Sequence, residues 1–293
     1  MKLLSFGEIC WDICGKEKTL GGAPLNLAAH AAIQGTEAYL LSAVGKDSLG
    51  NEALTKISAM GVKTDYISRH PQWVTGQCHI TVDPKGLPHY RVPDRLSYDQ
   101  ITLPSQPIEH FDVIAFGTLS LRSEHNRSIL LHLLEELSFS EIYTDLNIRP
   151  PFYSKESIAF CLSHATILKV SAEELPLIVQ EMQCNTINEK ETILWIGKRY
   201  PNIRLILLTK GASGAVGYDM ESGETVTVPA LQTQVVSTVG AGDSFGATFL
   251  CEYLSTGDLP HSMSRAASVS AFVVSRQDSV PEDMRAFLRT LSS

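Results

Sequence analysis

Short apolar runs alternate with longer helix-like stretches along most of this chain. The apolar runs have the length of buried strands and lie at 3–6, 39–44, 113–116, 141–146, 166–170 and 204–209. The helix-like stretches lie at 25–34, 51–61, 124–137, 155–163, 172–182, 189–200 and over most of the chain after 241. This order is typical of units in which helices connect parallel strands. It predicts an α/β fold with a central, mostly parallel sheet flanked by helices.

One stretch departs from this alternation and predicts a small β-hairpin lid. Within 74–82, small or apolar residues alternate with polar ones. The small or apolar set is Val74, Gly76, Cys78, Ile80 and Val82. A turn at 84–86, Pro-Lys-Gly, leads into a second extended run at 87–92. We expect a lid inserted around 74–92, which covers a site and packs against a second copy in a homodimer. An ordinary edge hairpin is the alternative.

The net charge and the spacing of the cysteines each argue against particular classes of protein. The formal net charge is −8, which argues against a nucleic-acid-binding protein, because such proteins carry basic surfaces. The six cysteines have no paired spacing, so we expect reduced, mostly buried thiols rather than disulfides or a zinc site. No apolar run approaches the length of a membrane span, about 18 residues. No linker or targeting segment is evident, and we expect one domain over 1–293 in a cytoplasmic protein.

The sharpest chemical signal is the run Gly240, Ala241, Gly242 and Asp243, which opens an apolar helix. Small residues let backbone N–H groups approach a phosphate, and the positive end of the helix dipole adds to that attraction. Asp243 lies in the first turn, where its carboxylate can take the proton of an attacking hydroxyl. The amides can then stabilise the charge on a transferred phosphoryl group. A glycine turn with Asp243 as an ordinary helix-start residue is the alternative.

A second glycine-rich segment contains Gly21, Gly22 and Asn26 and precedes the first predicted helix. It offers backbone freedom beside a side-chain amide, an arrangement suited to binding sugar hydroxyls. Asp12 follows the first predicted strand and can chelate two neighbouring hydroxyls. Gly-Gly turns before helices are common, so each of these features is weak evidence when taken alone.

Together the two glycine segments resemble the ribokinase-like, PfkB-type carbohydrate kinase family. That family pairs a Gly-Gly signature near the N-terminus with a G-A-G-D signature near the C-terminus. The resemblance covers nearly the whole chain, and it includes Val44-Gly45-Lys46-Asp47, Gly117-Thr118-Leu119-Ser120-Leu121, Asp145-Leu146-Asn147-Ile148-Arg149-Pro150 and Thr209-Lys210-Gly211. The segments at 117–121 and 145–150 look most like the fructokinase branch.

The resemblance implies a set of ligands and site residues. ATP would be the phosphoryl donor, Mg²⁺ its companion ion and a small-molecule sugar the acceptor. The general base would be Asp243, and the anion hole would be formed by the amides of Gly240, Ala241 and Gly242. The residues implied on the sugar side are Asp12, Gly22, Asn26, Arg91 from the lid, and Arg149. The residues implied on the nucleotide side are Lys169, Glu174, Thr209 and Gly211.

Two departures from the family pattern concern the ions. Many relatives have Asn-x-x-Glu where this chain has Ser171 and Glu174. Glu174 keeps the acidic position and is implied to contact Mg²⁺ indirectly, through water, although Ser-x-x-Glu is also a helix capping box. Many relatives use an Asp at a monovalent-cation site where this chain has Ser237, and Gln277 and Asp278 stand where a glycine is usual. The resemblance therefore gives little support for potassium activation.

The leading hypothesis is a fructokinase, which converts D-fructose and ATP into fructose 6-phosphate and ADP. A 2-keto-3-deoxygluconate kinase, or a kinase of another sugar or of a nucleoside, is the nearest rival. Relatives that take this keto acid often have Tyr where His89 stands, although Arg91 and Arg149 can still clamp a carboxylate. A non-catalytic sugar-binding regulator is the alternative from another class. The sequence has no P-loop motif, and Arg122 and Lys46 are expected to be solvated surface charges.

Overall fold

The computed structural model describes residues 1–82, 88–93, 95–108 and 110–291. The strands are β1 (Lys2–Phe6), β2 (Cys10–Cys14), β3 (Glu17–Gly21), β4 (Glu37–Gly45), β5 (Ile67–His70), β6 (Gly76–Val82), β7 (Pro88–Arg91), β8 (Val113–Phe116), β9 (Glu141–Asp145), β10 (Ile167–Ser171), β11 (Leu205–Thr209), β12 (Ala215–Asp219) and β13 (Thr225–Val228). The helices are α1 (Ala23–Ile33), α2 (Ser48–Ala59), α3 (Glu124–Glu136), α4 (Lys155–His164), α5 (Leu175–Met182), α6 (Glu189–Arg199), α7 (Ala241–Thr256), α8 (Leu259–Val274) and α9 (Met284–Leu291).

The larger sheet has the strand order β13-β12-β11-β10-β9-β8-β1-β4-β5. Seven neighbouring strands of this sheet are parallel to one another, namely β11, β10, β9, β8, β1, β4 and β5. Strands β12 and β13 pair antiparallel at the β11 edge. All four residues of β8 are buried, as are four of the five in β11. Such continuous burial is expected for parallel strands covered on both faces. The predicted α/β fold with a mostly parallel central sheet is confirmed.

Helices cover both faces of this sheet. On one face, the buried side chains of α1, α2, α7 and α8 pack in a single apolar cluster. On the other face, a second cluster joins the buried side chains of α3, α4, α5 and α6. In the part of the chain that the structure describes, no helix combines the length and the apolar character needed to cross a membrane.

A smaller sheet has the strand order β3-β2-β6-β7. Strands β6 and β7 pair antiparallel, as the period-two pattern predicted. The predicted turn at 84–86 lies outside the described residues. Sequence analysis missed β2 and β3, which pair antiparallel with each other, and β2 also pairs in parallel with β6. Asp12 therefore lies on a strand of this sheet rather than in a loop.

The start of the predicted hairpin is wrong in one respect. The alternation grouped Val74 with the small or apolar residues of one face, but its side chain is 42% exposed. Its polar neighbour Thr75 is fully buried, because Thr75 Oγ1 donates to Asp47 Oδ1 at 2.6 Å and accepts from the Gly45 amide at 2.9 Å. These bonds hold the chain in an irregular conformation, so β6 begins only at Gly76.

The smaller sheet is anchored to the body of the protein through Trp11. This side chain is fully buried on β2, and its Nε1 atom donates to the carbonyl oxygen of Leu49 in α2 at 3.2 Å. The ammonium groups of Lys18 and Lys56 lie 5.0 and 5.1 Å from the ring centroid. Lys18, on β3, also forms an ion pair with Glu52 of α2. One face of the β2–β3 pair is therefore packed against α2.

The prediction that Arg122 is a solvated surface charge is wrong. Its Nε and Nη2 atoms donate to the two carboxylate oxygens of Asp99 at 3.0 and 2.7 Å. The guanidinium also lies 5.7 Å from the Phe152 ring centroid. A bidentate ion pair of this kind removes much of the side chain from water.

Candidate active site

Two helix starts converge at the carboxyl ends of the parallel strands. Helix α1 follows Gly22 and helix α7 follows Gly240, and both glycines have positive φ angles, of 122° and 81°. The two helices are joined at the site by Asn26 and Asp243, whose Nδ2 and Oδ2 atoms lie 2.7 Å apart. The two glycine segments of the sequence therefore meet in space. Ligands of parallel α/β sheets bind at this end of the strands.

The turn before α7 allows close approach of an anion. A Cβ atom on Gly242 would lie 2.9 Å from Lys169 Nζ. The Ala241 amide donates to the Thr238 carbonyl oxygen at 3.3 Å, whereas the amides of Gly242 and Asp243 have no partner among the described residues. Unpaired amides at a helix start attract anions. The half-buried turn is thus open for a phosphate.

Asp243 is poised to accept a proton. It lies in the first turn of α7. Its pKa is raised from 3.8 to about 6, first by burial and then by the negative charge of Asp145. The hydrogen bond from Asn26 and the positive charges of Lys169 and Arg149 act in the opposite direction. Near neutral pH the carboxylate is therefore mostly ionised, and its pKa is close to the range in which a general base is most effective.

A buried ion pair lies beside the turn. Lys169, on β10, donates to Asp145 Oδ2 of β9 at 2.7 Å. Burial lowers the pKa of Lys169, but the neighbouring Asp145 outweighs that effect and the net shift is upward. The ammonium group therefore stays charged. The other oxygen of Asp145 is buried and has no hydrogen-bond partner in the described part of the chain.

Glu8 is the site residue that sequence analysis missed. It lies two residues after the end of β1 and is 4% exposed, and the Ala23 amide at the start of α1 stabilises the ionised form of its carboxyl group. Its pKa is raised from 4.5 to about 7, first by burial and then by the nearby Asp243 charge, with Arg149 acting in the opposite direction. The sequence signal was an acid set among apolar residues just after a buried strand.

Arg149 is the cation that faces the acidic side of the site. It is exposed beyond β9, and its guanidinium forms no hydrogen bond or ion pair with any described residue. Its positive charge lowers the pKa of Glu8, Asp12 and Asp243. Burial raises the pKa of Asp12. The structure therefore brings Asp12 and Arg149 into one electrostatic neighbourhood with the carboxylate of α7.

The remaining predicted residues lie on β7, at the end of β11, in the turn that follows it and just before α5. Arg91 is exposed on β7, opposite His79 in the register, and has no hydrogen-bond partner among the described residues. Thr209 ends β11, and Gly211 begins the following 3-10 turn with open space around its Cα. Both oxygens of Glu174 accept backbone amides, from Ile148 at 2.5 Å and Ser171 at 2.6 Å. Glu174 is thereby fixed in orientation.

An exposed apolar segment precedes the α7 turn and was also missed. Val235, Val236 and Val239 are 64%, 49% and 59% exposed. The segment is held in place because the amides of Val236 and Ser237 donate to the carbonyl oxygen of Val274. Three exposed valines beside an anion-binding turn offer a surface for a flat apolar group. The sequence signal was apolar residues in an otherwise polar loop.

Comparisons with known proteins give the family of this chain. The model of the pfkB family of carbohydrate kinases matches residues 15–283. Fructokinase-2 from Solanum habrochaites is 26% identical over 272 residues, which cover 85% of this chain and 80% of the relative. An ATP-dependent 6-phosphofructokinase from Thermoanaerobacterium thermosaccharolyticum is 24% identical over 273 residues, 87% of this chain and 79% of the relative.

Solved structures share the fold. The crystal structure of a fructokinase with bound ATP from Xylella fastidiosa superimposes with a TM-score of 0.82 at 20% identity. That superposition covers 100% of this chain and 99% of the other.

Proposed function

The chain belongs to the pfkB family of carbohydrate kinases and is a phosphotransferase that acts on a sugar; within that activity we propose that it transfers the γ-phosphoryl group of ATP to a hydroxyl of D-fructose, giving fructose 6-phosphate and ADP. The observation that carries this proposal is the α7 turn. Open amides and a carboxylate lie in the first turn of α7, and a buried ammonium group from β10 lies beside them.

In the proposed reaction, Asp243 accepts the proton of the attacking sugar hydroxyl. The hydroxyl oxygen forms a bond to the γ-phosphorus, the bond from that phosphorus to the bridging oxygen breaks, and ADP leaves with the electron pair. The amides of Gly240 and Gly242 line the anion hole, with Lys169 beside it. The Ala241 amide joins them once it gives up its 3.3 Å hydrogen bond to the Thr238 carbonyl oxygen. Because phosphoryl transfer needs little covalent work from the protein, positioning and charge stabilisation account for the rate.

The sugar would be held mainly by groups of the smaller sheet and of the α1 start. We assign the chelation of neighbouring hydroxyls to Asp12, with Gly22 and Asn26 beside it. Arg149 is free to donate to the acceptor. Arg91 would reach the sugar from β7 when the smaller sheet, acting as a lid, covers the site.

The nucleotide would lie along the other side of the turn. Thr209 and Gly211 flank the proposed path of ATP, and the exposed valines of 235–239 are suited to contact the base. Among the described residues, no group of three or more His, Cys, Asp or Glu side chains can hold a metal ion. This fits Mg²⁺ carried by phosphate oxygens and water, with the fixed Glu174 carboxylate as an outer contact. When bound, the ion would neutralise phosphate charge.

A panel of acceptors tests the substrate. ADP release is measured with D-fructose, other neutral hexoses, a nucleoside, fructose 6-phosphate and 2-keto-3-deoxygluconate. The highest kcat/KM with D-fructose supports the proposal. A preference for the keto acid would favour the second candidate, which the free guanidinium of Arg149 supports as a carboxylate clamp. Sugar binding without turnover of any acceptor would indicate a regulator instead.

A homodimer formed through the smaller sheet is a separate proposal. Strand β7 is the edge of that sheet and can pair with a second copy. The opposite edge, β3, is held against α2 through Lys18 and Glu52. Light scattering after size exclusion measures the mass directly. A dimer that dissociates when prolines are placed in β7 supports the proposal, and a monomer at high protein concentration contradicts it.

A further inference from the structure

Asn26 holds the carboxylate of Asp243 by one oxygen. Its side chain is 4% exposed on α1, and its Nδ2 atom donates to Oδ2 of Asp243 at 2.7 Å. No described residue donates to the other oxygen, Oδ1 of Asp243. The torsion that rotates a carboxylate is soft, so this hydrogen bond selects which oxygen remains available to a substrate.

The amide of Asn26 is itself held by Ser279. The hydroxyl of Ser279 donates to Oδ1 of Asn26 at 3.2 Å. The backbone oxygen of Ser279 accepts from Nε2 of His30, at 2.8 Å. Asn26 and His30 are four residues apart on α1 and therefore face the same side of the helix. Both side chains are buried, so the network of Asn26, Ser279 and His30 is shielded from water.

The same serine supports the phosphate turn. A Cβ atom on Gly240 would lie 2.7 Å from the backbone oxygen of Ser279, so the turn packs directly on this residue. Ser279 thus contacts the anion-binding turn on one side and, through Asn26, the base on the other. The relative position of the two is set by one short segment of chain.

We infer that Asn26 is a positioning residue of the reaction, which orients Asp243 through Nδ2 so that Oδ1 takes the acceptor's proton, and which is kept in place by Ser279 and His30. This inference rests on the proposed function. It gives Asn26 a task distinct from binding the sugar. One hydrogen of Nδ2 remains free for a contact with the acceptor.

Asn26 also affects the charge of the base. The hydrogen bond from Asn26 lowers the pKa of Asp243, against the effect of burial. Removal of the amide therefore raises that pKa above about 6. The other groups that face Asp243 remain in place in such a variant, and they are Glu8, Tyr143, Asp145, Arg149 and Lys169.

The kinetic test compares Asn26→Ala with Gln34→Ala. Gln34 follows α1, and its Nε2 atom donates to Thr248 Oγ1 of α7 at 3.1 Å, so the control also removes an amide contact between α1 and α7. We expect Asn26→Ala to lower kcat roughly 100-fold with the acceptor KM changed less than about threefold. The acidic limb of its pH profile should move to higher pH. Gln34→Ala should keep kcat within about twofold.

Two kinetic results would overturn the inference. A large rise in the acceptor KM with unchanged kcat would make Asn26 a substrate ligand alone. An equal loss of kcat in Gln34→Ala would attribute the effect to helix packing. If Asn26→Ala does not fold, Ser279→Ala serves instead, because it removes only the hydroxyl that orients the amide. A smaller loss of kcat in the same direction is expected, and an unchanged kcat and pH profile would count against the network.

A second readout does not need an acceptor. Carboxyl-¹³C aspartate is incorporated, and the Asp243 signal is identified by its absence in Asp243→Asn. We expect the Asp243 signal to titrate at higher pH in Asn26→Ala than in the unchanged protein. Equal titration in both proteins would refute the role of Asn26. If the protein phosphorylates no acceptor but shows this shift, the proposed function is wrong, whereas the contact between Asn26 and Asp243 is supported.

Discussion

Helices α1 and α7 both begin after a glycine with a positive φ angle, but the charged groups beside the two helix starts differ. At α1, the Ala23 amide stabilises the ionised carboxyl group of Glu8, so the positive end of the helix already faces an acid of the protein. At α7, the amides of Gly242 and Asp243 are unpaired within the described residues, and the ammonium group of Lys169 lies beneath Gly242. We call the α1 start closed, because an acid of the protein faces it. We call the α7 start open, because its unpaired amides can bind an external anion.

This difference teaches what a glycine-rich helix start does and does not predict. Gly22 and Gly240 both have positive φ angles, so both sequence segments satisfy the same backbone requirement. The neighbouring charge decides whether a phosphate is accepted, and that charge comes from distant parts of the chain. Glu8 precedes α1 by a strand pair, and Lys169 reaches α7 from β10.

The largest expected effect comes from the carboxylate at the open start. Asp243→Asn keeps the shape but cannot accept a proton, so we expect kcat to fall roughly 1,000-fold while sugar binding persists. Coupled ADP release and calorimetric titration with the sugar measure the two quantities. Asp65→Asn, the same change at an exposed position, is the control. A variant that keeps most of its turnover would remove Asp243 from the mechanism.

The closed start predicts a pH-dependent stability. The pKa of Glu8 is raised from 4.5 to about 7 in the folded protein, so its contribution to stability is present below the lower value and is lost as pH rises through the higher one. Glu8→Gln keeps an oxygen of the same shape near the Ala23 amide and does not ionise. Relative to the unchanged protein, it should gain about 2 kcal/mol between about pH 5 and about pH 8.

Urea unfolding at the two pH values measures this gain. Glu135→Gln, at an exposed position of α3, should show no such gain. A Glu8→Gln protein whose relative stability does not change with pH would mean that the α1 start is not closed by a titrating acid.

Crowding the open start tests its role in ATP use. In Gly242→Ala, the new Cβ meets the end of the Lys169 side chain at 2.9 Å, so the ammonium group must move away from the turn. We expect kcat/KM for ATP to fall about tenfold. Gly217→Ala crowds the Met263 side chain at 3.2 Å, away from the site, and should leave that constant nearly unchanged. If both variants lower kcat/KM for ATP equally, the position of the Lys169 ammonium group has no specific effect on the use of ATP.

The smallest effect should come from monovalent ions. The buried ammonium group of Lys169 already supplies positive charge beneath the α7 turn. The hydroxyl of Ser237 accepts from the Val239 amide at 3.2 Å and presents no carboxylate to a cation. Replacing potassium with choline should therefore change kcat less than about twofold. Strong activation by potassium would show that the open start needs an added cation.

The sequence predicted six of the nine strands of the larger sheet, because those strands are continuous apolar runs separated by helices of ordinary length. It did not predict strands β5, β12 and β13, at the two edges of that sheet. It did not predict β2 and β3. These strands carry exposed or charged residues such as Asp12 and Lys18, and they are stabilised by pairing with β6 and by contacts with α2. Such long-range contacts leave little local periodicity.

The site residues also divide into those with a local sequence signal and those that depend on distant contacts. The residues of 240–243 were recognisable because backbone freedom and a helix start are local properties. Glu8, the pairing of Lys169 with Asp145 and the contact of Asn26 with Asp243 join residues far apart in the chain. Whether Arg122 is solvated also depended on a distant partner, Asp99. Local patterns do not reveal such contacts.

The anchoring of Trp11 has a consequence for substrate recognition. Asp12 follows Trp11 on the same strand, and adjacent side chains of a strand point to opposite faces. The face that carries Trp11 is packed against α2. The carboxylate proposed to meet the sugar is therefore preorganised by the core, and little conformational entropy is lost when an acceptor arrives. Arg91, on the far strand of the same sheet, has no such support from the residues that the structure describes.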